Sequence, residues 1–168
     1  YTITVRGTLR NFAIFKSIRK GATVTGLNVQ YSSATIKGVE DDYYFGGIAN
    51  QVKGSIEECS VSGTINLDFT VEKGVGGLVG LLAEGKVVDS ANSARINAIS
   101  QSVAGIVGVL KKGNIEECTN SGAIVNNSES IYDYEILQHG TVISAGIVGY
   151  LYGSSTKIIE GNTNSGKI

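Results

Sequence analysis

Apolar residues recur at matching places along this chain, in successive segments of about thirty residues. The clearest marker is Gly77-Leu78-Val79-Gly80, which returns as Gly105-Ile106-Val107-Gly108 and Gly146-Ile147-Val148-Gly149. Aligned on this element, the copies begin near Phe12, Phe45, Val75, Val103 and Ser144, with Gly47 at the first glycine in the second copy and Ala13 there in the first. Two apolar columns then run through all five copies. One is Ile14, Ile48, Leu78, Ile106 and Ile147; the other is Ile18, Val52, Leu82, Leu110 and Leu151. A four-residue offset suits one face of a strand and also the i, i+4 face of a helix. Gly80, Gly108 and Gly149 lie between the columns, where each would cost a helix about 1 kcal/mol. β-Branched residues dominate and turn residues recur every few positions, so the pattern predicts strands.

A second signature follows each marker and is clearest at Ile115-Glu116-Glu117-Cys118-Thr119-Asn120-Ser121-Gly122. It supplies the columns Val24, Ile56, Val87, Ile115, Ile159 and Leu27, Cys59, Ser90, Cys118, Asn162. Ile65, Ile96, Ile124 and Ile168 close the repeats, with Ser33 as the exception in the first. Between these lies Asn92, Asn120, Asn164, preceded by Val29 and Val61. Identical side chains stacked ~4.8 Å apart are what parallel strands in a stack would produce, with asparagine amides bonding along the ladder. The expected fold is an all-β, right-handed parallel β-helix (β-solenoid) of about five coils, one domain over residues 1–168. One conflict stands. If both Ile/Leu columns face inward, so does the position between them, which holds Lys16 and Asn50 before the glycines. A lysine in a narrow core would be expensive, so either the early coils bulge or the register differs there.

Composition narrows the possibilities. With 42% hydrophobic residues among 168, the chain has enough apolar mass for a core despite its 23 glycines. A formal net charge of -1 and 17% charged residues leave no basic field for nucleic acid or anionic lipid. No run approaches the ~20 apolar residues of a membrane-spanning helix, so neither nucleic-acid binding nor membrane insertion is expected. Tyr1 stands where an initiator Met would, which reads as a piece of a longer protein. Cys59 and Cys118 are too few for a disulfide scaffold and match no zinc spacing with the single His139. They are expected to be buried, reduced thiols, and no metal or cofactor is expected.

Gly77-Leu78-Val79-Gly80 resembles the GLUG motif, and the copies at 105–108 and 146–149 differ only by Ile for Leu. Glu116-Glu117-Cys118-Thr119-Asn120-Ser121-Gly122 is similar to the "ENCTNSG" phrase of GLUG repeat arrays. Tyr1-Thr2-Ile3 and Gly21-Ala22-Thr23-Val24-Thr25-Gly26-Leu27-Asn28-Val29 resemble the first coils of such arrays. Gly47-Ile48-Ala49-Asn50 departs from the motif. The resemblance spans the whole chain. It implies a bacterial surface or secreted protein, either an adhesin or the N-terminal repeat region of an immunoglobulin A peptidase-like protein. The zinc-binding HExxH sequence of such peptidases is absent from this chain, so no catalytic residue is carried over.

Candidate chemistry concentrates where the repeat is interrupted. The longer interruption, residues 125–143, contains Tyr132, Asp133, Tyr134, Glu135 and His139. Their rings could stack on a sugar and their carboxylates accept its hydroxyls, and solenoids place binding residues in such insertions. The shorter one, Glu40-Asp41-Asp42-Tyr43-Tyr44, could offer oxygens to calcium but lacks EF-hand or RTX spacing. The pairs Glu57-Glu58 and Glu116-Glu117 recur with the repeat, as a structural column would, rather than as an acid/base pair in a cleft. No GxGxxG, GxxxxGK[ST] or GxSxG string occurs. The expected function is a non-catalytic extracellular scaffold or adhesion module, with a host glycan or extracellular protein as partner and end-to-end self-association at exposed strand edges. The alternatives are a carbohydrate-active β-helix enzyme or carbohydrate-binding module, and an accessory region of a secreted peptidase.

Overall fold

The computed structural model describes residues 1–38, 43–128 and 142–168. No helix occurs among them, and every strand pairing is parallel. The chain winds as a right-handed parallel β-solenoid of about four turns, the hand that right-twisted parallel strands favour on crossing over. Each circuit passes through four sheets. Sheet A holds Tyr44–Gly46, Gly74–Gly76, Ser102–Ala104 and Ile143–Ala145. Sheet B holds Phe15–Ile18, Ala49–Val52, Val79–Leu82, Val107–Leu110 and Val148–Leu151. Sheet C runs from Thr23–Thr25 through Ser55–Glu57, Lys86–Val88 and Gly113–Glu116 to Lys157–Glu160. Sheet D is the widest and begins with Thr2–Arg10, Asn28–Lys37 and Ser60–Val71. The first copy has no strand in sheet A, which is why five sequence copies make only about four turns.

The aligned columns are stacked in space. Val52 pairs with Ile18 and Leu82, and Leu110 with Leu82 and Leu151. The Leu78 amide donates to the Ile106 carbonyl (3.1 Å), and the Ile106 amide to Ile147 (3.2 Å). Ile56, Val87 and Ile115 pair in sequence, as do Ile65, Ile96 and Ile124. All six are buried in one continuous core. The end of the first repeat differs from expectation. Ala34, not Ser33, stacks on Ile65, because a bulge shifts the register and Ser33 sits at φ 55° outside it.

The position between the two Ile/Leu columns does not enter the core. Pairing in sheet B skips Gly80, so the two-residue alternation breaks there. A Cβ on Gly80 would meet the backbone of Phe45, and one on Gly108 the backbone of Val75. The sheet B strands carrying Gly80 and Gly108 therefore lie backbone to backbone against the sheet A strand of the preceding coil, a contact that leaves no room for a side chain. Lys16 has no such strand beneath it and is exposed. Asn50 is half-buried and accepts the Gly46 amide through Oδ1 at 3.3 Å.

Two polar ladders run inside. Asn92 Nδ2 donates to Asn120 Oδ1 (2.8 Å), and Asn120 Nδ2 to Asn164 Oδ1 (2.7 Å). The Asn120 amide also donates to the Gly122 carbonyl (3.1 Å). Asn92 and Asn120 are wholly buried. The first glycine of each marker faces this ladder: Cβ atoms on Gly77, Gly105 and Gly146 would overlap Asn92, Asn120 and Asn164 respectively. The two sequence signatures are thus the two sides of one packing contact. The second ladder uses Cys59, Ser90, Cys118 and Asn162. The Leu27 amide donates to Cys59 Sγ (3.4 Å), the Cys59 amide to Ser90 Oγ (3.1 Å), and the Cys118 amide to Asn162 Oδ1 (2.8 Å). Each Cys or Ser then donates to the carbonyl two residues before it: Glu57, Val88 and Glu116. Every buried side-chain polar atom among the described residues has a partner, which avoids the cost of burying an unbonded polar group.

Candidate functional site

Both interruptions leave the solenoid at the same corner, between sheets D and A. The first follows the sheet D strand ending at Lys37 and returns at Tyr44; the second follows Ile124–Asn126 and returns at Ile143. The two sheet A strands they feed are three positions apart in the stack, about 14 Å at the strand spacing. Tyr132, Asp133, Tyr134, Glu135 and His139 lie outside the described residues, as do Glu40, Asp41 and Asp42.

The flanks of both interruptions are tied down. Lys37 pairs with Asp68 at 2.9 Å. Asn126 Nδ2 donates to the carbonyls of Ser100 (2.9 Å) and Ile143 (3.4 Å), while Ser128 Oγ donates to Ser100 O (2.9 Å). The longer interruption is therefore narrower than residues 125–143. Val125 and Asn126 pair with Asn97 and Ala98, and Ile143 pairs with Ser102, so all three belong to the stack.

Beside this corner lie four tyrosines. Tyr43 and Tyr44 open the second coil's sheet A strand, and the Lys73 ammonium sits 4.9 Å from the Tyr43 ring centroid. Tyr150 and Tyr152 project from the sheet B end of the last coil, their rings 6.4 Å apart and tilted by 55°. Lys111 lies 5.7 Å from the Tyr152 centroid. Burial pushes the Tyr44 phenol above its ordinary pKa, and the neighbouring Tyr152 phenol adds to the rise. Sequence reasoning missed Tyr150 and Tyr152. The available signal was their i, i+2 spacing, which puts both rings on one strand face, at positions where the preceding coil has Val109 and Lys111.

The acidic pairs are structural. Glu58, Asp89 and Glu117 occupy the corner between sheets C and D with φ of 52°, 48° and 52°; Gly26 and Gly161 hold the same place at 63° and 65°. This left-handed residue turns the chain and aims the next amide along the thiol ladder. Glu57 pairs with Lys86 at 2.9 Å, and that bond raises the lysine's pKa. Glu84 accepts Lys20 (3.0 Å) and Lys112 (3.4 Å), which holds its carboxyl below the ordinary value, chiefly through the Lys20 hydrogen bond.

Cys59 and Cys118 are buried free thiols with Ser90 between them in the ladder. Burial pushes both above the ordinary thiol pKa, Cys118 to about 11. Thiols held protonated in this way are poor nucleophiles. Among the described residues no cluster of three His, Cys, Asp or Glu is placed to hold a metal ion, and no helix is long and apolar enough to cross a membrane. Comparison with known proteins gave no match: no family model, no curated protein and no solved structure is significantly similar to the chain.

Proposed function

We propose that the chain is a non-catalytic scaffold and adhesion module of a bacterial surface or secreted protein, acting outside the cell on a host glycan or extracellular protein. The observation that carries this reading is the placement of both interruptions at one corner of an otherwise uninterrupted stack. Solenoid stability comes from nearest-neighbour columns. Segments that leave the columns contribute little to them, and the strands bounding these two exit and re-enter the stack at the same corner. The repeat resemblance supports the surface or secreted setting. A carbohydrate-binding module is the nearer of the alternatives, favoured by the exposed tyrosines beside that corner.

The test replaces residues 129–141 with a short Gly-Ser turn and compares both proteins on glycan and matrix-protein arrays. Binding by the intact chain that is lost or reduced in the deletion supports adhesion through this corner. An intact chain that binds nothing leaves a spacer, whose work is length alone. End-to-end association belongs to the same reading. Strand edges left unpaired at the end of a parallel stack invite pairing with another chain. Sedimentation is expected to show concentration-dependent association, and a strict monomer at high concentration would remove this part of the proposal.

A further inference from the structure

We infer that Asn50 is an edge guard. Its side-chain amide stands in for the strand that sheet A lacks in the first coil. It thereby closes that edge to an extended segment of another polypeptide, one with an apolar residue followed by glycine or alanine.

The gap lies within the chain. Residues 11–14 cross directly from the sheet D strand Thr2–Arg10 to the sheet B strand Phe15–Ile18. Among the described residues, Tyr44–Gly46 is therefore the outermost strand of sheet A. Along a parallel strand, alternate residues bond to neighbours on opposite sides. The Tyr43 carbonyl accepts the Gly74 amide (3.2 Å), and the Gly47 amide donates to the Gly76 carbonyl (3.3 Å). Tyr43, Phe45 and Gly47 thus serve the strand that follows. Gly46 turns its amide the other way, toward the missing strand. It is buried, and a buried amide left without a partner is costly. Asn50 Oδ1 accepts it at 3.3 Å, which puts a side-chain carbonyl where a preceding strand would place a backbone one.

The same gap explains why a side chain fits there. Gly80, Gly108 and Gly149 hold the place of Asn50 in the later coils. A Cβ on Gly80 would lie 2.8 Å from the Phe45 nitrogen, and one on Gly108 would lie 2.7 Å from the Val75 nitrogen. One on Gly149 would overlap Ser102. In each case the obstacle is the sheet A strand of the preceding coil. Asn50 has no such strand before it, and its side chain takes that space.

Unpaired strand edges are templates for pairing, and proteins block them. The columns of sheet A set what would pair here. Phe45, Val75 and Val103 stack at its middle position, and Gly46, Gly76 and Ala104 at the next. An incoming strand needs an apolar residue followed by glycine or alanine to continue them. It also needs the Gly46 amide that Asn50 already holds.

The experiment is an NMR titration of the intact protein and of Asn50→Gly with a synthetic peptide of residues 70–79, which carries Val75 and Gly76. Glycine is what the backbone holds at this place in the next three coils, and a matching melting temperature confirms that the variant folds. Asn50→Gly is expected to bind the peptide with shifts centred on Tyr44 and Gly46. Its binding should be tighter than that of the intact protein by roughly tenfold or more, the effect of one hydrogen bond that no longer has to be displaced from a buried amide. The same peptide with Val75→Asp should bind neither protein. A variant as blind to the peptide as the intact protein overturns the proposal, and so does equal binding by both. Amide exchange supplies a readout that needs no variant. The Gly46 amide of the intact protein should exchange as slowly as that of Gly76, and fast exchange there would also overturn the guard.

Discussion

At the scale of single residues, the left-handed corner between sheets C and D is the most exposed to test. Three of its five occupants carry side chains, although an L-residue in that conformation costs roughly 1–2 kcal/mol. Glu117→Gly relieves this cost against a glycine entropy cost of roughly 0.5–1 kcal/mol, so a net gain of about 0.5 kcal/mol is expected in urea unfolding. Gly26→Ala should lose stability at the equivalent place. A loss on Glu117→Gly would mean the side chain contributes more than its conformation costs.

The thiols make a second prediction at this scale. Cys118 is held protonated up to about 11 in the folded chain, against 9.0 ordinarily. The unfolded chain therefore releases this proton first. Stability is fully present below pH 9 and is lost as pH rises toward 11. Cys59 and the buried Tyr31 shift in the same direction, burial being the main cause in each, and add to the loss. Ser90 does the same bonding work in the same ladder without titrating in this range. Cys59→Ser with Cys118→Ser should thus keep the fold and flatten the fall in stability between pH 9 and 11, measured by urea melts at several pH values. An unchanged pH slope would show that the thiols do not ionise on unfolding in that window.

At the scale of elements, the marker glycines and the asparagine ladder act as a unit. A Cβ on Gly105 would overlap both the Asn120 amide and the Gly146 carbonyl, and backbone cannot yield as a flexible side chain can. Gly105→Ala is expected to destabilise by about 3 kcal/mol, the upper range for overpacking. Gly7→Ala, which meets nothing within 4 Å, should cost only about 1 kcal/mol for its φ of 76°. Equal losses at the two positions, measured by chemical unfolding, would remove the glycine–asparagine contact as the reason for the motif.

At the scale of the whole molecule, stability is distributed over stacked columns, so an excursion should be separable from the rod. Replacing residues 129–141 while keeping Asn126, Ser128 and Ile143 is expected to shift the melting temperature by only a few degrees. Extending the replacement back to residue 126 removes the bonds from Asn126 and Ser128 to the carbonyls of Ser100 and Ile143. A loss of about 2 kcal/mol then follows from the unpaired carbonyls, roughly 4–8 °C for a chain of this size. If both replacements melt together, the clamp contributes nothing.

Much of this architecture was legible in the chain because a solenoid repeats its contacts. Ile106 meets the same kind of neighbour above and below, so selection writes the same kind of residue one coil away, and stacking can be read as alignment. The asparagine column and the Cys-Ser-Cys column were readable for that reason, though the expectation of buried, reduced thiols did not extend to their place in a hydrogen-bond relay. What does not repeat was not readable. The Ser33 bulge occurs once and shifted one alignment. The candidate site fared similarly: Tyr43 and Tyr44 were noticed because they break the pattern, while Tyr150 and Tyr152 passed as strand residues because alternation alone does not say which face is outside.

The sequence by itself determined the repeat length, the column partners, the parallel stacking and the near-neutral charge. Those properties follow from one-dimensional periodicity and composition. Only the tertiary structure decided that Gly80 faces the backbone of another sheet rather than the core, that the marker glycine and the ladder asparagine are two sides of one contact, that Glu58 and Glu117 turn a corner, and that both interruptions leave from the same edge. Each of these depends on where the chain bends between strands. Bends are set by a few dihedral angles and by close approach across the core, and neither leaves a periodic trace in the order of residues.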